Sequence, residues 1–115
     1  MREDVEQLPD YCVIEAVLTV LGGKWKLVIV RYLFAGPMRF GELKRALPGV
    51  TQRMLTRQLR ELESDGLVLR TVYREVPSKV EYSLTAIGRS LETIADQLDA
   101  WGRWYRDIRS ADASP

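Results

Sequence analysis

The 115-residue chain contains no histidine and one cysteine, Cys12. Histidine-based proton transfer, a Ser-His-Asp triad and the usual Cys/His zinc sites are therefore excluded within one chain. Neither a GxxxxGK[ST] loop nor a GxGxxG turn is present to cradle a phosphate. An enzyme would have to rely on carboxylates, lysine or tyrosine, which here fall mostly on helix faces and form no recognisable acid pair. No cofactor and no metal are expected, and binding is favoured over catalysis. No apolar run approaches the roughly 18 residues that span a bilayer. The N-terminal MREDVEQLPDY has no signal-peptide core, so a cytoplasmic location without membrane association is expected. Repeats, low-complexity tracts and linkers are absent as well, and only the tail SADASP has a disordered composition.

The residues present are those of one globular domain, with 46% hydrophobic and 29% charged side chains. The net charge of +1 is unevenly spread. Residues 39–89 hold ten Lys/Arg against six Asp/Glu, whereas the remainder holds seven against ten. A positive middle suits a surface of which only part meets a polyanion.

Periodicity divides the chain into short elements. Asp10 is a cap candidate for a first helix with Ile14, Val17, Leu18 and Leu21 in phase, stopped by Gly22-Gly23. Trp25, Val28, Ile29, Tyr32 and Leu33 repeat with helical spacing up to Gly36-Pro37. Met38-Arg39 allows only a stub of strand, and Phe40, Leu43 and Leu47 mark a third helix closed by Pro48-Gly49. Thr51 then caps a fourth helix that ends at Gly66.

Within TQRMLTRQLRELESDG, Arg53, Arg57 and Arg60 recur at i, i+4 and i+7, roughly half a turn from Leu55, Leu59 and Leu62. Alone, such a row is more often a solvated face than a binding one. Its context is more specific. Two short helices joined by a glycine-containing turn form a helix-turn-helix, over about residues 40–66, whose second helix enters the DNA major groove. From Val68 the period changes to two: Val68, Val72 and Val76 alternate with their neighbours, as do Val80, Tyr82 and Leu84, predicting a hairpin over about 68–84 that carries Arg70, Arg74 and Lys79. Basic residues also protect exposed edge strands. A helix-turn-helix followed by a hairpin is a winged helix. The fold class expected is mainly α with a small β-hairpin, flanked by dimerisation helices over about 11–22 and 86–109.

The last of these helices carries Ile87, Leu91, Ile94, Leu98, Trp101, Tyr105 and Ile108, spaced 4, 3, 4, 3, 4, 3 after the cap candidate Thr85. That heptad seam has to be covered, either by the chain's own short first helix or by a second copy of the chain. The second copy fits better. Leu91, Ile94, Leu98, Trp101 and Tyr105 are the candidate interface residues.

Taken in order, CVIEAVLTVLGGKWKLVIVRYLFAGPMRFGELKRALPGVTQRMLTRQLRELESDGLVLRTVY, VPSKVEYSLTAIGRSL and LDAWGRWY resemble the HxlR-type bacterial winged-helix regulators over about residues 10–106. Departures are mild: Thr51 stands where serine is frequent, and Ser78-Lys79 where Pro-Arg is frequent. The resemblance implies a dimeric cytoplasmic DNA-binding protein. It also implies a role for Cys12, because some members sense electrophiles or oxidants through a cysteine at the matching position. A site near a helix N-terminus favours thiolate, whereas Asp10 and Glu15 oppose it and a lone cysteine also serves as a small buried apolar residue.

The expected function is a homodimeric, sequence-specific transcriptional regulator, with repression as the expected sign, on a near-palindromic double-stranded operator. Gln52, Arg53 and Arg57 are the candidates for base edges. Thr51, Thr56, Arg60, Arg39 and Lys44 are assigned to phosphates, and Arg74 and Lys79 to DNA beside the wing. Local acids Glu61, Glu63 or Asp65 compete for Arg60. The rival readings are a winged-helix protein-interaction module and a small carboxylate-dependent enzyme. The sequence names no small-molecule effector.

Overall fold

The glycines and prolines that punctuate the sequence fall where the chain changes direction. The computed structural model describes residues 13–113 and contains α1 (Val13–Leu21), α2 (Lys26–Leu33), α3 (Phe40–Ala46), α4 (Gln52–Ser64), β1 (Val68–Tyr73), β2 (Lys79–Leu84), α5 (Ala86–Arg89) and α6 (Glu92–Ala113). Asp10 and Cys12 lie outside the described residues.

Helix α4 is held at both ends by its own sequence. Thr51 has extended backbone, and its Oγ1 accepts the Met54 N–H at 3.1 Å. At the other end Gly66, with φ of 81°, takes the left-handed conformation that side chains resist. The Gly66 N–H then donates to the Glu63 carbonyl at 3.1 Å and the Leu67 N–H to the Leu62 carbonyl at 2.9 Å. This is a Schellman closure, with Leu62 and Leu67 both buried as its hydrophobic clasp. Leu55, Leu59 and Leu62 join Ile29, Val30 and Leu33 of α2, Leu43 and Leu47, and the hairpin-base residues Val68 and Leu84 in one core. Burying that leucine row turns the arginine row outward.

The hairpin pairs Val68 with Leu84, Arg70 with Tyr82 and Tyr73 with Lys79. Met38 bridges Tyr82 through both backbone bonds, at 3.0 and 2.8 Å, so the expected stub is a one-residue third strand. Only the hairpin base joins the core. Val72 and Val76, expected to mark an apolar face, are exposed, because the hairpin extends past the helices that could cover them.

The stripe on α2 differs from the predicted one. Val28 and Tyr32 are exposed, whereas Lys26 and Val30 are buried. KLVIVRYL is apolar on most sides, so spacing alone could not choose which side the neighbouring elements cover. In α1 only Val20 is buried, and Ile14, Val17 and Leu18 face outward.

The expected long C-terminal helix is interrupted at Ser90-Leu91. Thr85 fixes the start of α5: its Oγ1 donates to the Gly66 carbonyl at 2.6 Å and accepts the Gly88 N–H at 3.1 Å. Gly88 lies against the link between α4 and β1, where a Cβ would sit 2.2 Å from the Leu67 carbonyl oxygen. Ser90 Oγ donates to the Ile87 carbonyl at 2.5 Å, a local bond that competes with the helical ladder. After the break, Leu91 packs on the chain's own core and Ala95 is buried, while the seam from Ile94 onward stays open. The radius of gyration is 16.5 Å, against about 13 Å for a compact chain of this length.

Candidate nucleic-acid interface

Five of the nominated DNA contacts share one surface. Gln52, Arg53, Thr56, Arg57 and Arg60, together with Glu61, line an open groove of about 670 Å³ along the outer face of α4. The two threonines differ in what they can offer an anion. Thr51 Oγ1 accepts a helix N–H and keeps its own hydrogen to donate. Thr56 Oγ1 already donates to the Gln52 carbonyl at 2.8 Å, so it must rotate before it can meet a phosphate.

A second hollow of about 430 Å³ lies between α4 and the hairpin, lined by Thr56, Leu59, Arg60, Glu63, Arg70 and Tyr82. Arg60 and Arg70 bring two guanidinium groups to one cleft. Arg70 was not among the nominated contacts, although the strand period places it on the same side as the buried Val68, the side that meets α4. Glu61, one of the acids expected to compete for Arg60, lies instead against Arg57, with Nε and Oε1 3.4 Å apart.

Behind this pair stands an interaction that periodicity did not suggest. The Lys26 side chain is only 4% exposed and ion-pairs with Glu61 Oε2, tying α2 to α4. The hydrogen bond from Lys26 holds the Glu61 carboxyl below the ordinary 4.5, against the opposing effect of burial, and Arg57 adds to the lowering. Glu61 is therefore ionised at neutral pH. Lys26 is in helical phase with Ile29, Val30 and Leu33, and a lysine within a buried row was the available signal.

The remaining nominated cations lie apart from the α4 groove. Arg39 is exposed at the start of α3, where its backbone N–H donates to Glu42 Oε1 at 2.8 Å, and Lys44 is exposed in the last turn of that helix. On the wing Arg74 is exposed. Lys79 is engaged by Glu81 at 2.7 Å and sits 5.1 Å from the centroid of the Tyr73 ring. The hydrogen bond to Glu81 raises the Lys79 pKa above its usual value.

Helices α1 and α6 both leave large apolar side chains exposed. Ile94, Leu98, Trp101, Tyr105 and Ile108 are each 40–58% exposed, and Val13, Ile14, Val17 and Leu18 add to them from α1. The described part of the first helix therefore does not cover the seam. Trp104, at 56% exposure, belongs to this surface although it stands outside the 4, 3 spacing. Trp101 stacks on Tyr105 with centroids 5.1 Å apart and planes 7° from parallel, which stiffens the face. Asp99 binds Arg31 of α2 at 2.7 Å and Arg103 at 2.8 Å, fixing the root of α6 on the domain. Arg103 first, and then Arg31, lower the Asp99 pKa. Among the described residues, no helix is long and apolar enough to cross a membrane.

Comparison with known proteins agrees with this geometry. The HxlR-like helix-turn-helix family matches residues 20–110. The HTH-type transcriptional regulator YtcD of Bacillus subtilis strain 168 is 60% identical over 89 residues, covering 77% of this chain and 71% of its own. YybR of the same organism, also an HTH-type transcriptional regulator, is 54% identical over 97 residues, covering 84% and 78%. The redox regulator HypR in its reduced form superposes with a TM-score of 0.81 at 52% identity, covering 86% of this chain and 98% of that one. These relatives are transcriptional regulators rather than enzymes.

Proposed function

From the premise that the chain belongs to the HxlR-like helix-turn-helix family of winged-helix transcriptional regulators, we propose that it acts as a homodimeric cytoplasmic repressor of a near-palindromic operator. Each protomer lays α4 in the major groove, with Gln52, Arg53 and Arg57 at base edges. Thr51, Thr56, Arg60, Arg39 and Lys44 meet phosphates, and Arg74 and Lys79 meet DNA beside the wing. Arg70 joins the phosphate contacts through the cleft it shares with Arg60. The observation that carries the reading is the two-sided α4, in which a buried leucine row fixes an outward row of polar and cationic side chains in one groove.

The dimer forms through α6 and α1. Side chains such as Leu98 and Trp101 are about half exposed in one protomer, and full burial of such groups is worth about 1.5 to 3 kcal/mol each from a fully exposed start. Selection of duplexes from a random pool by the intact chain tests this function. An inverted repeat is expected to emerge, and its affinity to fall by about 10³ to 10⁵ between 50 and 200 mM salt if 6 to 10 phosphates are contacted. Recovery of no preferred sequence would overturn it.

Cys12 extends the proposal to redox control, supported by its place in the sequence and by the likeness to the redox regulator HypR. With one cysteine per chain, its disulfide would join two protomers or a small thiol. Cys12→Ser is expected to abolish any response of operator binding to diamide, and an unchanged response would exclude this role.

A further inference from the structure

The groove on α4 contains one carboxylate among its cations, an arrangement that would ordinarily weaken DNA binding. Glu61 projects from α4 one turn beyond Arg57, and its two oxygens are divided between two cations: Oε2 faces the buried Lys26 ammonium, and Oε1 faces Arg57 Nε. Lys26 offsets the negative charge that Glu61 would otherwise present to the phosphates. The arrangement also leaves Arg57 substantially exposed, at 77%. An arginine placed N-terminal to a glutamate at i, i+4 is the weaker orientation for helix stability, so the pair adds little to the helix itself.

We propose that Glu61 is a specificity-determining positioning residue, which engages the Nε edge of Arg57 from a carboxylate anchored on Lys26 and so presents the two terminal amino groups of Arg57 end-on to a guanine. Guanine offers O6 and N7 side by side in the major groove, and an arginine fork meets both only when its plane is aligned with the base. Arg57 has several rotatable bonds and is solvent-exposed, so without a lateral contact its fork samples many orientations. The 3.4 Å separation is loose enough for the guanidinium to adjust as it meets the base. Glu61 does not touch DNA in this scheme. Its effect passes through Arg57, and it therefore rests on the assignment of Arg57 to a base edge.

The test is a double-mutant cycle on discrimination. Affinities of the intact chain, Arg57→Ala, Glu61→Gln and the double variant are measured for the duplex recovered from the random pool and for each of its single-base-pair changes. Because the readout is a ratio of affinities for two duplexes, a misfolded fraction cancels from it. Arg57→Ala is expected to flatten preference at one base pair by about 5- to 150-fold. Glu61→Gln is expected to lower preference at that same base pair by about 2- to 10-fold, and to change nothing further once Arg57 is alanine. Lys26→Met combined with Glu61→Gln leaves no buried lysine without its partner, and should show the same local loss if Glu61→Gln alone folds poorly. A purely structural tie between α2 and α4 predicts instead an equal loss on every duplex, which would overturn the proposal. So would retained discrimination in Glu61→Gln while Arg57→Ala has lost it. Should Arg57→Ala leave every preference intact, the base-edge assignment and the positioning role both fall.

Discussion

Lys79 shows how a single side chain can be legible in type and not in state. Its place on a basic hairpin followed from the alternation of the strand, yet its ammonium is held by Glu81 at 2.7 Å. Glu81→Gln weakens that hold by removing a negative charge from the wing, and is expected to tighten binding to random duplexes. Lys79→Ala is expected to weaken all duplexes alike and to reduce the salt slope by about 1 per wing. Titrations at several salt concentrations measure both, and a sequence-dependent loss in Lys79→Ala would place it at a base rather than a phosphate. The opposed rows of α4 were readable because period 3.6 assigns each residue one side. The Lys26–Glu61 pair was not, because it joins residues 35 positions apart and only packing brings them together. The same limit applies to Arg60 and Arg70, which share a cleft only once the hairpin folds back along α4.

Among the elements, α4 and the hairpin matched expectation because each carries its own boundary chemistry, Thr51 and Gly66 for the helix and the switch to period two for the strands. The C-terminal helix did not. A heptad seam fits an unbroken helix, and nothing in its spacing reports that the Ser90 hydroxyl bonds the Ile87 carbonyl and leaves Leu91 to the domain's own core. The short α5 has a separate task, since it packs against the junction between α4 and β1 through Thr85 and Gly88. Gly88→Ala would place a methyl group 2.2 Å from the Leu67 carbonyl oxygen and 3.0 Å from Leu84 Cδ2. It is expected to cost about 1 to 3 kcal/mol, as overpacked sites do, with a lower urea midpoint at unchanged slope. Stability equal to that of the unmodified chain would show that α5 does not bear on the wing as described.

At the scale of the whole molecule, the outer face of α4 carries a row of cations, while α1 and α6 leave aromatic and aliphatic side chains exposed. The groove on α4 is backed by the core, whereas α6 extends outward with Ile94, Leu98, Trp101 and Ile108 uncovered. The Arg31–Asp99 pair ties α6 to α2, and the Lys26–Glu61 pair ties α2 to α4. A dimer built on α6 thereby sets the distance between two copies of α4. In the proposed dimer these two helices read successive major grooves about 34 to 36 Å apart. The most direct test is the affinity of the intact chain for duplexes whose two inverted half-sites are moved apart one base pair at a time. A maximum is expected at a centre-to-centre spacing of about 10 to 10.5 base pairs or a multiple of it, with a steep loss half a turn away. Affinity that is indifferent to spacing, or equal on a single half-site, would rule out two helices held one DNA turn apart.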